Sequence, residues 1–327
     1  MNTYDSVRSL PLRIDGYDLE PLEREVARGF TLRRTVVVLR GGGEEGRGEE
    51  VDYNPAAQQQ FQARSSELPL AGEHTLESFS LLQAGQTDYR RWAFEAAALD
   101  LALRQAGLPL DEALGLKLHP VRFVVSTRVA NVEGWLALFP DLRFKLDPDA
   151  TWSDETIDSL ARNGRVETVD FKGVYRGDFG SPPDPALYRR IAEAFPAAWL
   201  EDPALNAETS KALAAHRTRI TWDAAIHDWT DVEALPFAPR SLNCKPSRFG
   251  SVKRLFEFYD RCAEHGIALY GGGQFELGPG RGQIQLLASL FHPDAPNDVA
   301  PPGYNATEPV EGLPASPLEL SREPGFR

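Results

Sequence analysis

The chain has 327 residues, 42% of them hydrophobic and 25% charged, which is enough to bury one large core and a smaller one. A formal net charge of −13 opposes binding to nucleic acid or an anionic membrane, so an anionic substrate has to be drawn by a local positive centre such as a metal ion or a lysine pair. No run approaches the roughly 18 apolar residues that span a bilayer, Met1–Leu10 lacks the apolar core of a signal peptide, and Cys244 and Cys262 fit neither a disulfide framework nor a thiolate metal site; together these point to the reducing cytoplasm.

The first third reads as a mixed α+β unit. Thr31–Arg40 (TLRRTVVVLR) is β-branched and is followed by Gly41-Gly42-Gly43, a strand and turn signal. The glycine- and charge-rich stretch from Gly41 to Glu50 is expected to be a mobile hairpin loop. Thr75–Ala84 and Tyr89–Ala106 carry helical periodicity; in the second, Trp92, Ala96, Leu99 and Leu103 share a face and Gly107 ends the helix.

From Val121 the pattern changes to short strands alternating with helices. Strand ends fall near Arg128, Lys145, Asp170, Glu201, Asp223, Lys245 and Gly271, about 25 residues apart, which is what one strand, one helix and two loops consume. Helices are expected at Ser153–Arg162 behind a serine cap, at Asp184–Phe195 behind Asp-Pro, at Val252–His265 ending on Gly266, and at Gln283–Leu290. This is a barrel rhythm. The segment from Pro301 to Arg327 is proline-rich and reads as an extended tail packed on the outside.

Side-chain parity carries the functional information, because residues two apart on a strand share a face. In Leu142-Arg143-Phe144-Lys145 the apolar pair faces the helices and Arg143 and Lys145 face the barrel axis. The same parity turns Asp170, Glu201, Asp223 and Lys245 inward between outward apolar neighbours. An acid after a strand is often only the cap of the next helix, but carboxylates from three adjacent strands repel one another unless a hard divalent cation neutralises them. Magnesium suits such an oxygen site, and lysines on either side of it supply bases if the cationic setting lowers their pKa.

In order and spacing these residues resemble the enolase superfamily, and within it the muconate lactonizing enzyme subgroup. The resemblance covers most of the chain: Glu95–Ala102 is similar to the helix leading into the barrel, Arg143-Phe144-Lys145 to the Lys-x-Lys of the second strand, Val169-Asp170 to the third, Leu200-Glu201-Asp202-Pro203 to the fourth, Trp222-Asp223 to the fifth, Lys245–Gly250 to the sixth and Gly271–Glu276 to the seventh. It implies an α/β fold, a (β/α)7β-type TIM barrel over 119–300 with an N-terminal α+β capping domain over 1–118 that closes on the barrel mouth, leaving 301–327 as the tail. It implies Asp170, Glu201 and Asp223 as ligands of Mg2+, with Mn2+ as a substitute, and Lys145 and Lys245 as the acid/base pair. The partner would be a small-molecule carboxylate, with homo-oligomers compatible with the family.

Three positions depart from the family pattern: Arg143 replaces a lysine, keeping a charge without a base; Lys172 replaces an asparagine; and Ala224 replaces a glutamate. Arg143, Lys172, Glu276 and Asp298 are candidate substrate contacts, Asp298 toward an amine or alternatively as a turn former. The glycine-rich Gly271–Gly282 lacks the Gly-Lys-Ser/Thr ending of a phosphate loop; His227 is a candidate ligand contact and His265 a helix-end residue. The chemistry expected is removal of the α-proton of a carboxylate by lysine through an enediolate, leading to elimination as in succinylbenzoate synthase, cycloisomerisation, or racemisation and epimerisation. The alternative is an inactive barrel serving as a binding or structural protein.

Overall fold

The β-branched run in the first third does form a strand, and the residues expected to loop after it form another. The computed structural model describes residues 2–27, 30–63, 68–175 and 180–327. In chain order the N-terminal part contains β1 (Pro11–Ile14), β2 (Gly16–Ala27), β3 (Phe30–Gly41), β4 (Glu44–Glu50), α1 (Pro55–Gln62), β5 (Gly72–Thr75), α2 (Leu76–Leu82), α3 (Asp88–Gln105) and α4 (Leu110–Leu114). β2, β3 and β4 make an antiparallel sheet with β3 in the middle, and β1 pairs with β5. The expected hairpin loop is thus corrected to a turn at Gly42-Gly43 followed by β4. Its glycines serve close packing: a Cβ on Gly46 would stand 2.2 Å from the Ala97 carbonyl oxygen of α3, and one on Gly48 2.0 Å from that of Ala93. Two of its four acids, Glu49 and Glu50, are buried against backbone amides and Gln58.

α3 is buried on every side from Trp92 to Leu103. Two acids inside that run are tied off, Glu95 by Ser80, Arg91 and the Val252 amide, Asp100 by Arg104, Arg327 and the amides of Arg47 and Phe326. Each buried charge is therefore paired and hydrogen-bonded, as burial demands.

The remainder alternates strictly: β6 (Val125–Ser126), α5 (Val132–Leu138), β7 (Phe144–Leu146), α6 (Asp154–Asn163), β8 (Val166–Asp170), α7 (Pro185–Ala194), β9 (Trp199–Glu201), α8 (Ala207–Ala212), β10 (Ile220–Thr221), α9 (Trp229–Glu233), β11 (Ser241–Cys244), α10 (Val252–Glu264), β12 (Ala268–Gly271) and α11 (Pro279–Phe291). β6 to β10 form a parallel sheet in sequence order, and β11 and β12 a parallel pair. Ser153 caps α6 by accepting the Thr156 amide at 3.2 Å, and Gly164 at φ +63° closes it. α11 begins four residues before the expected Gln283, with Pro279 in its first turn and Glu49 accepting the Gly280 amide.

Past β12, Asn297 is a junction. Its side-chain oxygen accepts the Gly271 amide at 2.6 Å and contacts His292 Nδ1 at 2.7 Å, and its nitrogen donates to the Arg122 carbonyl at 2.9 Å. The tail then runs back: Leu318 bridges Val121, and Phe326 packs edge-on against Trp92 with ring centroids 6.3 Å apart. Among the described residues no helix is long and apolar enough to cross a membrane.

Candidate functional site

Asp170 is the last residue of β8 and Glu201 the last of β9, and the register sets them side by side. Asp223 follows β10 by two residues, Lys145 is central in β7, and Lys245 directly follows β11. Asp170, Glu201, Asp223 and Lys145 are all buried and Lys245 is nearly so. Strand alternation brings them together: each has an apolar neighbour turned to the helices, Val169, Leu200, Trp222 and Cys244 among them.

Their contacts form one network. The Lys145 amine donates to Glu201 and lies 3.5 Å from Asp170 Oδ2 and 3.9 Å from Asp298 Oδ2. Lys245 Nζ sits 2.7 Å from Asp223 Oδ2, which also accepts the Tyr175 hydroxyl at 2.9 Å; Arg248 Nη1 donates to Asp223 Oδ1 at 2.8 Å. Glu201 Oε2 accepts from Tyr270 and from Asn243 Nδ2. Lys172, at φ +49°, reaches Asp170 Oδ2 at 3.1 Å and Asp147 at 3.2 Å. Asp202, at φ +47°, accepts the Asp223 and Ala224 amides at 2.9 Å each and so fixes the backbone at the end of the fifth strand.

Burial pushes Glu201 up to about 8, because Asp170, Asp223 and Asp202 add to desolvation more than Lys145 relieves it. Burial and the charges of Asp223 and Asp170 likewise push Asp202 up to about 7. Asp223 goes the other way, held well below the usual carboxylate range against burial by Arg248, Lys245 and Lys145. Burial lowers the proton affinity of Lys145, but Glu201, Asp170, Asp298 and Asp223 together raise it well above that of a free lysine. The expectation of a lowered lysine pKa is therefore corrected for Lys145, since the carboxylates around it outweigh burial and the neighbouring cations.

The residues named from sequence are placed unevenly. Arg143 does not join the group: its guanidinium donates to the Gly164 carbonyl and lies 3.8 Å from Glu167, both at the end of β8 away from Asp170. Parity gives the face but not the height, and two residues earlier on a strand is roughly 7 Å nearer the opposite end. Glu276 is buried, with one oxygen on the Gln274 amide and the other 3.5 Å from Arg281. His227 is turned to Asp231 and Ala225, away from the cluster, while His265 contacts the Arg261 carbonyl and packs on Trp229 at the end of α10.

Sequence reasoning missed Asp202, Arg248, Tyr175, Tyr270 and Asn243. Asn243 shares the parity of Lys245, and Asp202 adjoins Glu201, so both carried a signal; the long side chains of Arg248, from the short helical turn Pro246–Phe249, and of Tyr175, from a loop, lie outside the strands and carried none.

A cation would find hard oxygen donors here. Among the described residues one set of three acids, Asp170, Glu201 and Asp202, has an oxygen from each within 4.8 Å of the others. Counted as fully ionised, Asp170, Glu201, Asp202, Asp223 and Asp298 outnumber Lys145, Lys245 and Arg248 by two, and the raised proton affinities of Glu201 and Asp202 are the consequence of that crowding.

Comparison with known proteins agrees with this architecture. The model of the C-terminal domain of DUF8230, a domain of unknown function, matches residues 117–306, and that of its N-terminal domain matches residues 5–113. An o-succinylbenzoate synthase of Pectobacterium atrosepticum is 24% identical over 215 residues, 65% of this chain, and the chain spans only 58% of that relative's length. A dipeptide epimerase from Methylococcus capsulatus, solved with a Mg ion, superposes with a TM-score of 0.73 at 20% identity, covering 96% of this chain and 99% of the other. A muconate lactonizing enzyme from Pseudomonas fluorescens, solved with muconolactone, superposes with a TM-score of 0.71 at 19% identity over 96% of each chain. Such likeness carries the fold, a mixed α/β arrangement in which an N-terminal α+β part precedes a parallel sheet with alternating helices. The chain belongs to the family defined by the two DUF8230 domains, and its fold is similar to that of solved enolase superfamily members.

Proposed function

We propose that the protein binds a magnesium ion on Asp170, Glu201 and Asp223 and removes the α-proton of a small-molecule carboxylate with the lysine pair Lys145 and Lys245. The carrying observation is the bracketing of the acidic cluster by two amines from different strands, Lys145 on Glu201 and Lys245 on Asp223. Asp202 is the nearer neighbour of Asp170 and Glu201, but both its oxygens already hold amides, so we assign it to positioning Asp223 and take Asp223 as third ligand. Mn2+ would fit the same donors. The strands are inferred to close as a (β/α)7β barrel over 119–300 beneath a cap over 1–118, with 301–327 outside. Single hydrogen bonds at the open edges support closure: Asn243 amide to Trp222 at 3.0 Å, Asp298 amide to Gly271 at 2.8 Å and Val124 amide to Asn297 at 2.8 Å.

A cation bound here supplies electrostatic stabilisation to the enediolate charge that develops as the proton leaves, a contribution of several kcal/mol. A cation held by Glu201 and Asp170 would compete with the Lys145 amine for its closest counter-charges and so would weaken that amine's hold on a proton. One lysine then takes the α-proton. The other returns it on the opposite face, giving racemisation or epimerisation, or stands as a cation during elimination or cycloisomerisation. The cytoplasm suits such a small-molecule enzyme, and a homo-oligomer is compatible with it.

The test is exchange in heavy water. Candidate N-acyl amino acids, dipeptides and succinylbenzoate precursors are incubated with protein and Mg2+ and followed by NMR and mass spectrometry. Deuterium is expected at the α-carbon of at least one class, and the double variant Lys145→Met/Lys245→Met is expected to remove it, each single variant sparing at most exchange from one enantiomer. Absence of exchange across the set, with Mg2+ and with Mn2+, would favour the second reading, a non-catalytic binding protein. That reading draws on Lys172 and Arg248, which already occupy Asp170 and Asp223.

A further inference from the structure

A cavity of about 120 Å³ lies beside the Lys145 end of the cluster. Its walls include Ser126 on β6, Phe275 and Arg281 after β12, and Asp298 and Asn305 further along the chain. Ser126 is the register partner of Lys145, and Asp298 is 3.9 Å from the Lys145 amine, so the cavity adjoins the reacting end of the site.

Arg281 is only 8% exposed, yet its guanidinium makes no hydrogen bond among the described residues. Its Nε is buried without a partner, and its ion pair with Glu276 Oε2 is long, at 3.5 Å, with that oxygen itself lacking a hydrogen bond. A guanidinium offers five N–H donors in a planar fork, and a buried one held among the described residues by a single long ion pair is an arrangement that native proteins seldom keep without cause. Asn305 Nδ2 is a second buried donor without an acceptor. Phe275, on the same wall, holds φ +60°, a left-handed conformation costly for a bulky side chain and typical of backbone fixed to serve a site.

We propose that Arg281, assisted by Asn305, is a specificity-determining residue: its fork binds a planar oxyanion of the carboxylate kind carried by the substrate away from its reacting carbon. Two parallel oxygens match the fork and satisfy donors that the protein leaves empty. The proposal rests on the reading above only for where the reacting end lies.

The experiment is calorimetric titration of the Mg2+-loaded protein with succinate, glutarate and adipate and, for comparison, butyrate, pentanoate and hexanoate. At least one diacid is expected to bind roughly tenfold or more tighter than the monoacid of its length. Arg281→Met is expected to erase that gap and keep monoacid affinity; Arg281→Lys should restore part of it, and Asn305→Ala should narrow it by a smaller factor. Were Arg281 only structural, Arg281→Met would lower the melting temperature and leave the gap in place. Equal affinity of the wild type for diacids and monoacids, no binding of any diacid, or a gap surviving in Arg281→Met overturns the proposal. Monoacid binding reads the cation pole alone, so indifference of that binding to Mg2+ with the gap intact would sink the metal reading and leave the Arg281 subsite standing.

Discussion

Glu49 on β4 accepts the amide of Gly280 in the first turn of α11, joining positions 231 residues apart. The same carboxylate takes the amides of Leu277 and Gly278, so the cap sheet holds the loop that follows the seventh strand. Burial and Glu276 push its pKa up to about 7 against those amides, which makes glutamine a close mimic of its protonated form. Glu49→Ala is expected to lower stability by about 2–4 kcal/mol, since three amides lose their acceptor, and Glu49→Gln by less. Urea unfolding of the two variants measures the difference.

Cation binding should stabilise the fold by mass action, about 2.7 kcal/mol at a hundredfold excess over Kd. Asp170→Asn, Glu201→Gln and Asp223→Asn are each expected to shrink the rise in melting temperature. Scanning calorimetry in EDTA, Mg2+ and Mn2+ checks this, and a flat response to both ions removes the cation site.

Asp223 is the counter-charge of two largely buried cations, Lys245 and Arg248. Without metal, Asp223→Asn leaves both facing a neutral amide, and a loss of about 3–5 kcal/mol is expected. Lys245→Met leaves Asp223 paired with Arg248 and should cost less. Equal losses in EDTA would contradict the pairing.

Burial pushes His292 down to about 4, with Asn297 opposing. Its folded pKa lies below the unfolded value of 6.5, so its contribution is fully present above pH 6.5 and is lost as the pH falls through 4. The loss across that window is on the order of 3 kcal/mol. His292→Asn, whose amide can replace Nδ1 against Asn297, should flatten the acid limb of urea midpoints measured from neutral pH downward.

The glycines of β4 make a packing test. Gly46→Ala and Gly48→Ala would drive a methyl onto backbone carbonyls of α3, and each is expected to cost at least about 2 kcal/mol. Gly16→Ala, with nothing within 4 Å, should be neutral or slightly stabilising in the same thermal melts.

How far the site could be read in advance follows from the range of each signal. Alternation is a local property, so Lys145, Asp170 and Glu201 could be turned to one interior from a few neighbours each, and in the structure they touch. β4 could not be read, because the partners that make Glu49 and Glu50 tolerable inside lie at Leu277–Gly280 and on α1. Arg143 was misplaced because its height depends on where β7 begins, at Phe144. The proton affinity of Lys145 depends on four carboxylates from four other segments, and no spacing rule sums their fields.

Asn297 has a consequence for how the chain reaches this state. Its side chain ties Arg122, Gly271 and His292 together, although it stands 175 positions from Arg122 in the sequence. Closing a loop of that length costs entropy before any of these bonds repays it, so the junction forms after the local strand and helix pairs. Until then β6 and β12 each present an edge that another molecule can pair with. Refolding yield should therefore fall with rising protein concentration even where the finished fold is stable, because the competition is decided by the rate at which this one side chain finds its partners.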